Sequence, residues 1–366
     1  MSKDMSFNFV TVNQIESVKP RIHGPDILRG LAAISVIFFH VIYLTDVPYS
    51  SVYFWITGRF DFFVRVFFMI SAFSMAYVYS NNINTIRDIK IFYLKRAFRI
   101  IPLFYFVIIL NFILLNITSN KPSSLDDIIL NSLFVFSLIP GKHASLIGGG
   151  WSIGIEMIFY LLFPFFLVIA SNLRSAIISF ILLLIVSIIT TKYYSIYLDG
   201  RLNNFGKLNI LAHTQYFIMG FIVYHAWIKY NATINKTLSG ILFILSLIVM
   251  VLLFRLQKTI PEEVFISIAG ASMLYFSVLG LPKLLDNKAT RYLGAISYSA
   301  YLMQFPVITI FSWLGVYKHL KSYANPIIDV NFLAGVITII SVITVSSLTY
   351  KFIERPFRYL GKVVSA

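Results

Sequence analysis

The sequence predicts an all-α, polytopic membrane protein with about ten transmembrane helices and both termini in the cytoplasm. Of its 366 residues, 58% are hydrophobic and only 12% are charged, and the mean hydropathy is +0.82. A soluble domain of this length has about a quarter of its residues charged. Apolar runs of about 17–23 residues, long enough to cross a bilayer as helices, also recur along the whole chain.

These apolar runs divide the chain into ten expected spans. They lie at about 28–46, 60–80, 98–116, 151–171, 174–191, 211–229, 237–254, 263–282, 293–314 and 332–353. A run of about a dozen residues at 128–139 is too short to cross, so we expect an interfacial or re-entrant helix there. Residues 1–25 are polar and do not resemble a cleaved signal peptide, so we expect a cytoplasmic segment followed by one integral-membrane domain over 26–366.

The basic residues predict the orientation of the spans. With the N-terminus inside, nineteen Lys and Arg lie on cytoplasmic segments and ten on outer ones, which follows the positive-inside rule. The net charge of +15 therefore indicates cytoplasmic loops and lipid headgroups rather than nucleic acid. The absence of cysteine excludes disulfides and thiolate metal sites. Other metal-ligand spacings are also absent from the sequence.

The first span carries two ionisable residues, Arg29 and His40, within DILRGLAAISVIFFH. A separation of eleven residues is three helical turns plus about 20°, so both side chains share a face about 16 Å apart along the axis. Ionisable groups inside spans are costly and are functional candidates by default. The alternatives are a snorkelling anchor for Arg29 and a packed, hydrogen-bonded histidine for His40.

A basic cluster follows in KIFYLKRAFRIIP, at 90–102. Arg96 and Arg99 are three residues apart and are therefore neighbours on a helix surface. Guanidinium groups match phosphate oxygens well, so this cluster is a candidate site for a nucleotide-bearing donor. Ordinary positive-inside anchoring is the alternative interpretation.

The stretch GGGWSIGIEMIFYLLFP, at 148–164, places a carboxylate in a span. Its glycines allow a tight turn or close approach to a ligand, and Ser152 is positioned to cap the helix that follows. Glu156 then lies about one turn into the span, where a carboxylate must be paired or protonated. His40 is one expected partner, and a structural pair with an arginine or a tyrosine hydroxyl is the alternative.

Four further ionisable residues lie in or near the spans. Asp61 and Arg65 are four residues apart, so we interpret them as a pair within one helix. His213 and His225 each lie alone near the sixth span.

At these residues the sequence resembles the acyltransferase-3 family, bacterial membrane enzymes that acylate sugars of surface glycans. Six segments match the family in order along nearly the whole chain. They are the Arg-x10-His spacing of Arg29 and His40, FFMISAF at 67–73, KRAFRIIP at 95–102, WSIGIEMIFYLLFP at 151–164, GAISYSAYLMQFPV at 294–307 and FIERPFRYLGK at 352–362. Two positions depart from the family pattern: Ala72 replaces a glycine, and Gln304 replaces a histidine. Glutamine cannot act as a base, so no catalytic role is assigned to Gln304.

The resemblance implies a mechanism that these residues can perform. An acyl-CoA, with acetyl-CoA as the expected donor, would bind from the cytoplasm through Arg29, Arg96 and Arg99. His40 would act as general base on an acceptor hydroxyl, and Glu156 would orient the imidazole. Trp151 and Ser152 are expected to contact the acceptor. No metal is required, and the resemblance leaves direct transfer and an acyl-histidine intermediate open.

The expected partners are acyl-CoA, the lipid bilayer and a glycan or lipid-linked glycan acceptor, such as O-antigen or exopolysaccharide. The implied location is the bacterial inner membrane, and no nucleic acid is expected to bind. The competing prediction is a transporter or flippase that uses His40 and Glu156 as a proton relay, because many spans with few loops are typical of carriers.

Overall fold

The computed structural model describes residues 20–118, 124–197, 200–230, 234–256, 261–323 and 329–365, and every regular element within them is helical. The helices are α1 His23–Leu44, α2 Ser51–Thr57, α3 Phe63–Tyr79, α4 Ile86–Thr118, α5 Leu125–Ser132, α6 Gly150–Ile169, α7 Leu173–Tyr197, α8 Gly200–Leu208, α9 Thr214–Tyr230, α10 Lys236–Leu256, α11 Glu262–Leu279, α12 Lys288–Trp313, α13 Val316–Lys321, α14 Val330–Thr349 and α15 Arg355–Val364. Short 3-10 turns lie at Phe60–Phe62, Phe136–Leu138 and Ile210–Ala212, and a π-helical turn at Tyr350–Glu354 joins α14 to α15.

The chain is an all-α polytopic membrane protein, as predicted. Eight helical segments in the described ranges are long and apolar enough to cross a membrane. Two further helices are shorter by this measure, namely α9 with 17 residues and the apolar part of α10 at Lys236–Leu252. The count of ten spans and the cytoplasmic position of both termini stay predictions. Below, we call the end of the bundle where α1 begins the inner end, following the predicted orientation.

Two helices begin earlier than predicted. The helix α1 starts at His23, so the expected boundary between residues 25 and 26 falls inside it; Pro25 lies in the first turn, where its missing N–H breaks no hydrogen bond. Residues 1–19 of the expected N-terminal segment lie outside the described residues. The helix α4 starts at Ile86 and has 33 residues, about 50 Å, which exceeds the roughly 30 Å hydrocarbon core. The basic cluster is therefore helical throughout.

The helix α1 contacts four of the other long helices. It packs most extensively on α12 and also contacts α3, α11 and α14. The two backbones meet at Gly30 and Gly294, where a Cβ on Gly294 would approach the Asp26 carbonyl oxygen to 2.2 Å. Small residues permit this kind of close helix contact in membranes. Because Arg29 precedes Gly30, the contact holds Arg29 beside α12.

Gly294→Val is expected to destabilise the fold. The added Cβ would collide with the backbone of α1 rather than with a flexible side chain, and overpacking of this kind costs about 1–3 kcal/mol. The melting temperature in detergent, followed by gel filtration after heating, should fall measurably. Ala295→Val, one residue further along α12, is the matched control. Equal melting temperatures for the two variants would contradict the proposed packing.

The described part of the segment between α4 and α6, residues 124–149, has no helix long enough to cross a membrane, in line with the prediction for 128–139. The helix α5 has eight residues and is followed by the 3-10 turn at Phe136–Leu138. The Asn131 side-chain oxygen accepts hydrogen bonds from the Ser145 hydroxyl at 2.6 Å and the Leu146 amide at 3.0 Å. Lys142 donates to Asp127 at 2.7 Å, and this hydrogen bond holds the pKa of the Asp127 carboxyl below its usual value.

This segment delivers the start of α6 into the bundle interior. Gly149 adopts a φ of +69°, which favours glycine, and precedes the first helical residue, Gly150. A Cβ on Gly148 would lie 2.2 Å from the Phe305 ring of α12. The close approach of the glycines to Phe305 therefore sets the depth at which α6 begins.

Candidate active site

A cavity of about 60 Å³, partly open to solvent, lies where α1, α3, α4, α6 and α12 meet. It is lined by apolar side chains and by charged and hydroxyl-bearing ones. The polar lining residues are Arg29, Ser71, Ser74, Arg99, Ser152, Glu156, Tyr160, Ser297, Tyr298 and Tyr301. The cavity thus contains four of the seven residues predicted for the site: Arg29, Arg99, Ser152 and Glu156.

Two guanidinium groups form one part of the cavity wall. Arg29 pairs with Asp26 at 3.0 Å and donates to the Ser74 hydroxyl at 3.4 Å. Arg99 lines the same cavity, and its side chain makes no hydrogen bond or ion pair to any described residue. The arrangement leaves positive charge available for an anionic ligand.

Arg96 lies on the same helix as Arg99, as predicted, but outside the cavity wall. Its guanidinium is 5.8 Å from the centroid of the Tyr160 ring and 5.9 Å from that of Tyr79. Its Nε and Nη1 atoms are buried without hydrogen-bond partners. Since buried donors are nearly always satisfied in native proteins, this group is also a candidate anion contact.

Glu156 is held by two hydroxyl groups. Tyr160 donates to Glu156 Oε1 at 2.5 Å, and Ser71 donates to the same oxygen at 2.6 Å. The two hydroxyl oxygens are themselves 2.8 Å apart. Both bonds use Oε1, so Oε2 keeps no hydrogen bond to the described residues. This compact polar group also lies within electrostatic range of Arg29 and Arg99.

The expected pairing of Glu156 with His40 is wrong. Because α6 begins inside the bundle at Gly150, Glu156 lies almost two turns along the helix, on the level of the arginines. The partner of His40 is Gln304 on α12, at 2.9 Å from Nδ1 to Oε1. Gln304, which replaces the histidine of the family pattern, therefore provides the hydrogen-bond contact to His40.

The hydrogen bonds of Gln304 determine the tautomer of His40. Gln304 Nε2 donates to the Tyr301 carbonyl oxygen at 2.8 Å, so its Oε1 faces the imidazole. An amide oxygen can only accept, and hence Nδ1 of His40 carries the proton and Nε2 has a free lone pair. That tautomer is suited to a general base.

His40 lies beside the cavity rather than in its wall. Its ring contacts Phe305 at a centroid distance of 4.6 Å. The connection to the cavity runs along α12, because Gln304 bonds to Tyr301, which lines the cavity. Arg29 and His40 do share the single helix α1, as predicted, and both contact neighbouring helices inside the bundle.

One prediction at the start of α6 is wrong. Ser152 is not the helix cap, because the helix already begins at Gly150; its hydroxyl instead bonds to the Tyr301 hydroxyl at 2.8 Å and the Gly149 carbonyl oxygen at 2.9 Å. Contact of Trp151 with the acceptor stays a prediction; its ring lies outside the cavity wall and packs on His213 at 5.3 Å.

Several site residues were not predicted from the sequence. Tyr160 follows Glu156 by four residues, a spacing that signals a contact on one helix, whereas Ser71, Tyr298 and Tyr301 lie in segments that match the family but gave no such spacing signal. Glu354, which is buried in the π-helical turn, was not predicted either. Glu354 accepts from Ser299 at 3.0 Å and pairs with Arg358 at 3.3 Å. An acid within an apolar run could have identified it.

No group of three or more His, Asp or Glu side chains in the described residues is arranged to hold a metal ion. The expectation that the reaction needs no metal stays a prediction.

Comparison with known proteins identifies the family of the chain. The family model described as "Acyltransferase domain", of the acyltransferase-3 family, matches residues 22–351. A Bacillus subtilis (strain 168) protein named "Putative peptidoglycan O-acetyltransferase YrhL" is 25% identical over 380 aligned positions, covering 93% of this chain and 55% of that protein. A Staphylococcus aureus (strain COL) protein named "Putative O-acetyltransferase SACOL0978" is 26% identical over 379 positions, covering 93% and 58%.

The chain spans little more than half the length of these two relatives. No solved structure is significantly similar to it. The family model nevertheless covers nearly the whole chain, including the helices that form the cavity. The chain therefore belongs to the acyltransferase-3 family.

Proposed function

We propose that this protein is an O-acyltransferase of the bacterial inner membrane. It moves an acyl group, with acetyl as the expected one, from cytoplasmic acyl-CoA to a hydroxyl of a cell-surface polysaccharide. The observation that carries the proposal is the arrangement of side chains on α1, α4 and α12. The guanidinium groups of Arg29, which is paired with Asp26, and of Arg99 line one part of the cavity. His40, whose Nε2 has a free lone pair, lies beyond Tyr301.

The donor binds at the arginines in this proposal. Arg29 and Arg99 line the cavity, and Arg96 lies one helical turn from Arg99 with two unpartnered nitrogen atoms. Guanidinium groups bind phosphate oxygens through charge-assisted hydrogen bonds. The phosphates of an acyl-CoA would therefore lie at this end, and the thioester would extend along the cavity towards Ser152 and Tyr301.

The transfer step uses His40 as general base. In a direct transfer, Nε2 of His40 takes the proton of the acceptor hydroxyl, and the oxygen of that hydroxyl attacks the thioester carbonyl carbon. A C–O bond forms and the C–S bond breaks, and the imidazolium then returns the proton to the CoA thiolate. Gln304 holds the ring and its tautomer throughout. The hydroxyl of Ser152 or of Tyr301 would turn from the Gly149 carbonyl oxygen, to which both now donate, and donate to the developing oxyanion.

Glu156 keeps a place in the proposal with a different role. Its carboxylate holds the hydroxyls of Ser71 and Tyr160 between the arginines and the transfer site. It also balances the charge of Arg29 and Arg99 when no donor is bound. We therefore assign it to positioning of the donor rather than to orienting His40.

The decisive experiment follows label from acetyl-CoA. Inner-membrane vesicles that contain the protein and the native glycan are incubated with acetyl-CoA labelled in the acetyl group, and the glycan is then analysed by mass spectrometry. Base-labile label on glycan hydroxyls supports the proposal. Uptake of a solute by the vesicles without any donor, and no label on glycan, would instead support the competing carrier.

Arg99→Ala is expected to weaken donor binding. A hydrogen bond to a charged group contributes about 1.5–3 kcal/mol, so the dissociation constant of acetyl-CoA should rise roughly tenfold to a hundredfold. Arg96→Ala should act in the same direction. Isothermal titration calorimetry on protein in nanodiscs measures both.

Arg291→Ala is the control for this series, because Arg291 is an exposed arginine paired with Asp286 near the start of α12. Unchanged acetyl-CoA affinity in both Arg96→Ala and Arg99→Ala would reduce these residues to membrane anchors and contradict the donor site.

A further inference from the structure

A second polar group lies around the start of α3, outside the cavity wall. It is a row of alternating charges in which Arg59 pairs with Glu262 at 2.9 Å and Arg65 pairs with Asp61 at 2.5 Å. The side-chain exposure falls along the row, from 46% at Glu262 through 37% at Arg59 and 25% at Asp61 to 17% at Arg65. The row therefore leads from the surface into the bundle.

Three unsatisfied atoms lie in the buried part of this row and on the neighbouring His213. Asp61 Oδ1, Arg65 Nε and His213 Nδ1 are each buried without a hydrogen-bond partner. The Arg59 Nε atom is 3.6 Å from Asp61 Oδ1, too far for a hydrogen bond. Buried polar atoms in native proteins are nearly always hydrogen-bonded to protein or to ordered water, so these three atoms are candidate contacts for a ligand.

The three atoms belong to one neighbourhood beside Trp151. The His213 ring lies 5.3 Å from the Trp151 ring and 5.9 Å from the Tyr216 ring. Arg65 lies within electrostatic range of His213, of Tyr216 and of Tyr301 in the cavity wall. Asp61 lies within electrostatic range of His40. The group is therefore on the same side of the bundle as the proposed base.

The hydrogen-bonding types indicate which ligand fits. His213 Nε2 bonds to the Lys207 carbonyl oxygen at 2.8 Å and must be the protonated nitrogen, so Nδ1 is an acceptor. The unsatisfied set is thus two acceptors, Asp61 Oδ1 and His213 Nδ1, and one donor, Arg65 Nε. A phosphate or carboxylate offers only acceptors, whereas sugar hydroxyl and acetamido groups both donate and accept.

We propose that Asp61, Arg65 and His213, with the Trp151 ring beside them, form the subsite that holds the acceptor sugar. The proposal rests on the function proposed above and adds the place and chemistry of acceptor recognition. Sugar hydroxyls donate to Asp61 and His213 and accept from Arg65. The indole packs against the apolar face of the sugar ring, and the acceptor hydroxyl is presented to His40.

Three variants each alter one of the side chains that carry an unsatisfied atom. Asp61→Asn replaces a carboxylate by an amide, Arg65→Lys keeps a cation for Asp61 but removes Nε, and His213→Gln removes Nδ1. Two measurements are made on each variant. Inner-membrane vesicles containing the native glycan report transfer from labelled acetyl-CoA, and protein in nanodiscs reports acetyl-CoA affinity by calorimetry and the melting temperature.

We expect transfer to the glycan to fall at least tenfold in each variant, while the acetyl-CoA dissociation constant stays within twofold of the parent value. Lys142→Met is the matched control, because it breaks the exposed ion pair with Asp127 and should change neither quantity.

The outcomes separate this inference from the function on which it rests. Unchanged transfer in all three variants would overturn the acceptor subsite and leave the enzyme intact. A fall in transfer together with lower melting temperature and weaker donor binding would overturn it too, because the cluster would then be purely structural. Absence of transfer by the parent protein, with acetyl-CoA neither bound nor consumed, would instead refute the proposed function.

Discussion

His40→Ala should lower the rate of acyl transfer by about 10²–10⁴-fold, the usual contribution of a positioned general base. The structure places its Nδ1–H on Gln304 and leaves Nε2 unprotonated. Alanine removes the only atom in our proposal that accepts the hydroxyl proton. The donor arginines lie about three helical turns away on α1 and on α4, so acetyl-CoA affinity should change little.

The measurement is a rate of labelled acetyl transfer at saturating acetyl-CoA, with binding measured separately. His225→Ala is the matched control, since His225 is also a half-buried imidazole but bonds to the Ala170 carbonyl oxygen far from the cavity. Gln304→Leu should give an intermediate loss, because the base remains while its tautomer is no longer held. Near-parental transfer by folded His40→Ala would remove His40 from the mechanism.

Glu156→Gln should lower transfer by about a hundredfold. The substitution keeps the size of the side chain but replaces two hydrogen bonds to a charged oxygen, from Ser71 and Tyr160, by weaker neutral ones. Hydrogen bonds to charged groups contribute about 1.5–3 kcal/mol each, so a combined loss near 3 kcal/mol is expected. It also removes a negative charge beside Arg29 and Arg99.

A double-mutant cycle tests whether these groups act as one unit. Ser71→Ala alone should also slow transfer, and adding Glu156→Gln should cost much less than the sum, since both variants disrupt the same network. Additive losses would contradict a shared role. Glu263→Gln in the first turn of α11 is the control for removal of a carboxylate elsewhere in the bundle.

The hydrogen-bond partner of His40 could not be predicted from the sequence. The eleven-residue spacing correctly placed Arg29 and His40 on one helix, because helical geometry depends only on local spacing. The partner of His40 depends on how α6 and α12 are set relative to α1. A one-dimensional estimate of depth put Glu156 beside His40, but the inward entry of Gly148 and Gly149 on Phe305 shifts Glu156 to the level of the arginines.

The neighbours of the Asp61–Arg65 pair likewise could not be predicted from the sequence. Their spacing correctly predicted an ion pair, which joins the 3-10 turn at Phe60–Phe62 to α3, and this spacing suggested a purely structural role. Only the packing of α3 against α9 and α6 brings His213 and Trp151 beside them and reveals the unsatisfied atoms. Isolated in the sequence, His213 carried no signal at all.

By itself, the sequence determined the helical membrane class, the family motifs and the residues that share a helix face, because hydropathy and helical periodicity are local properties of the chain. The tertiary structure decided which of these residues meet. The glycine contact of α1 with α12 and the buried start of α6 assemble Arg29, Arg99 and Glu156 around one cavity and leave His40 with Gln304. Contacts between distant segments depend on helix depth, crossing and rotation, which no local pattern encodes.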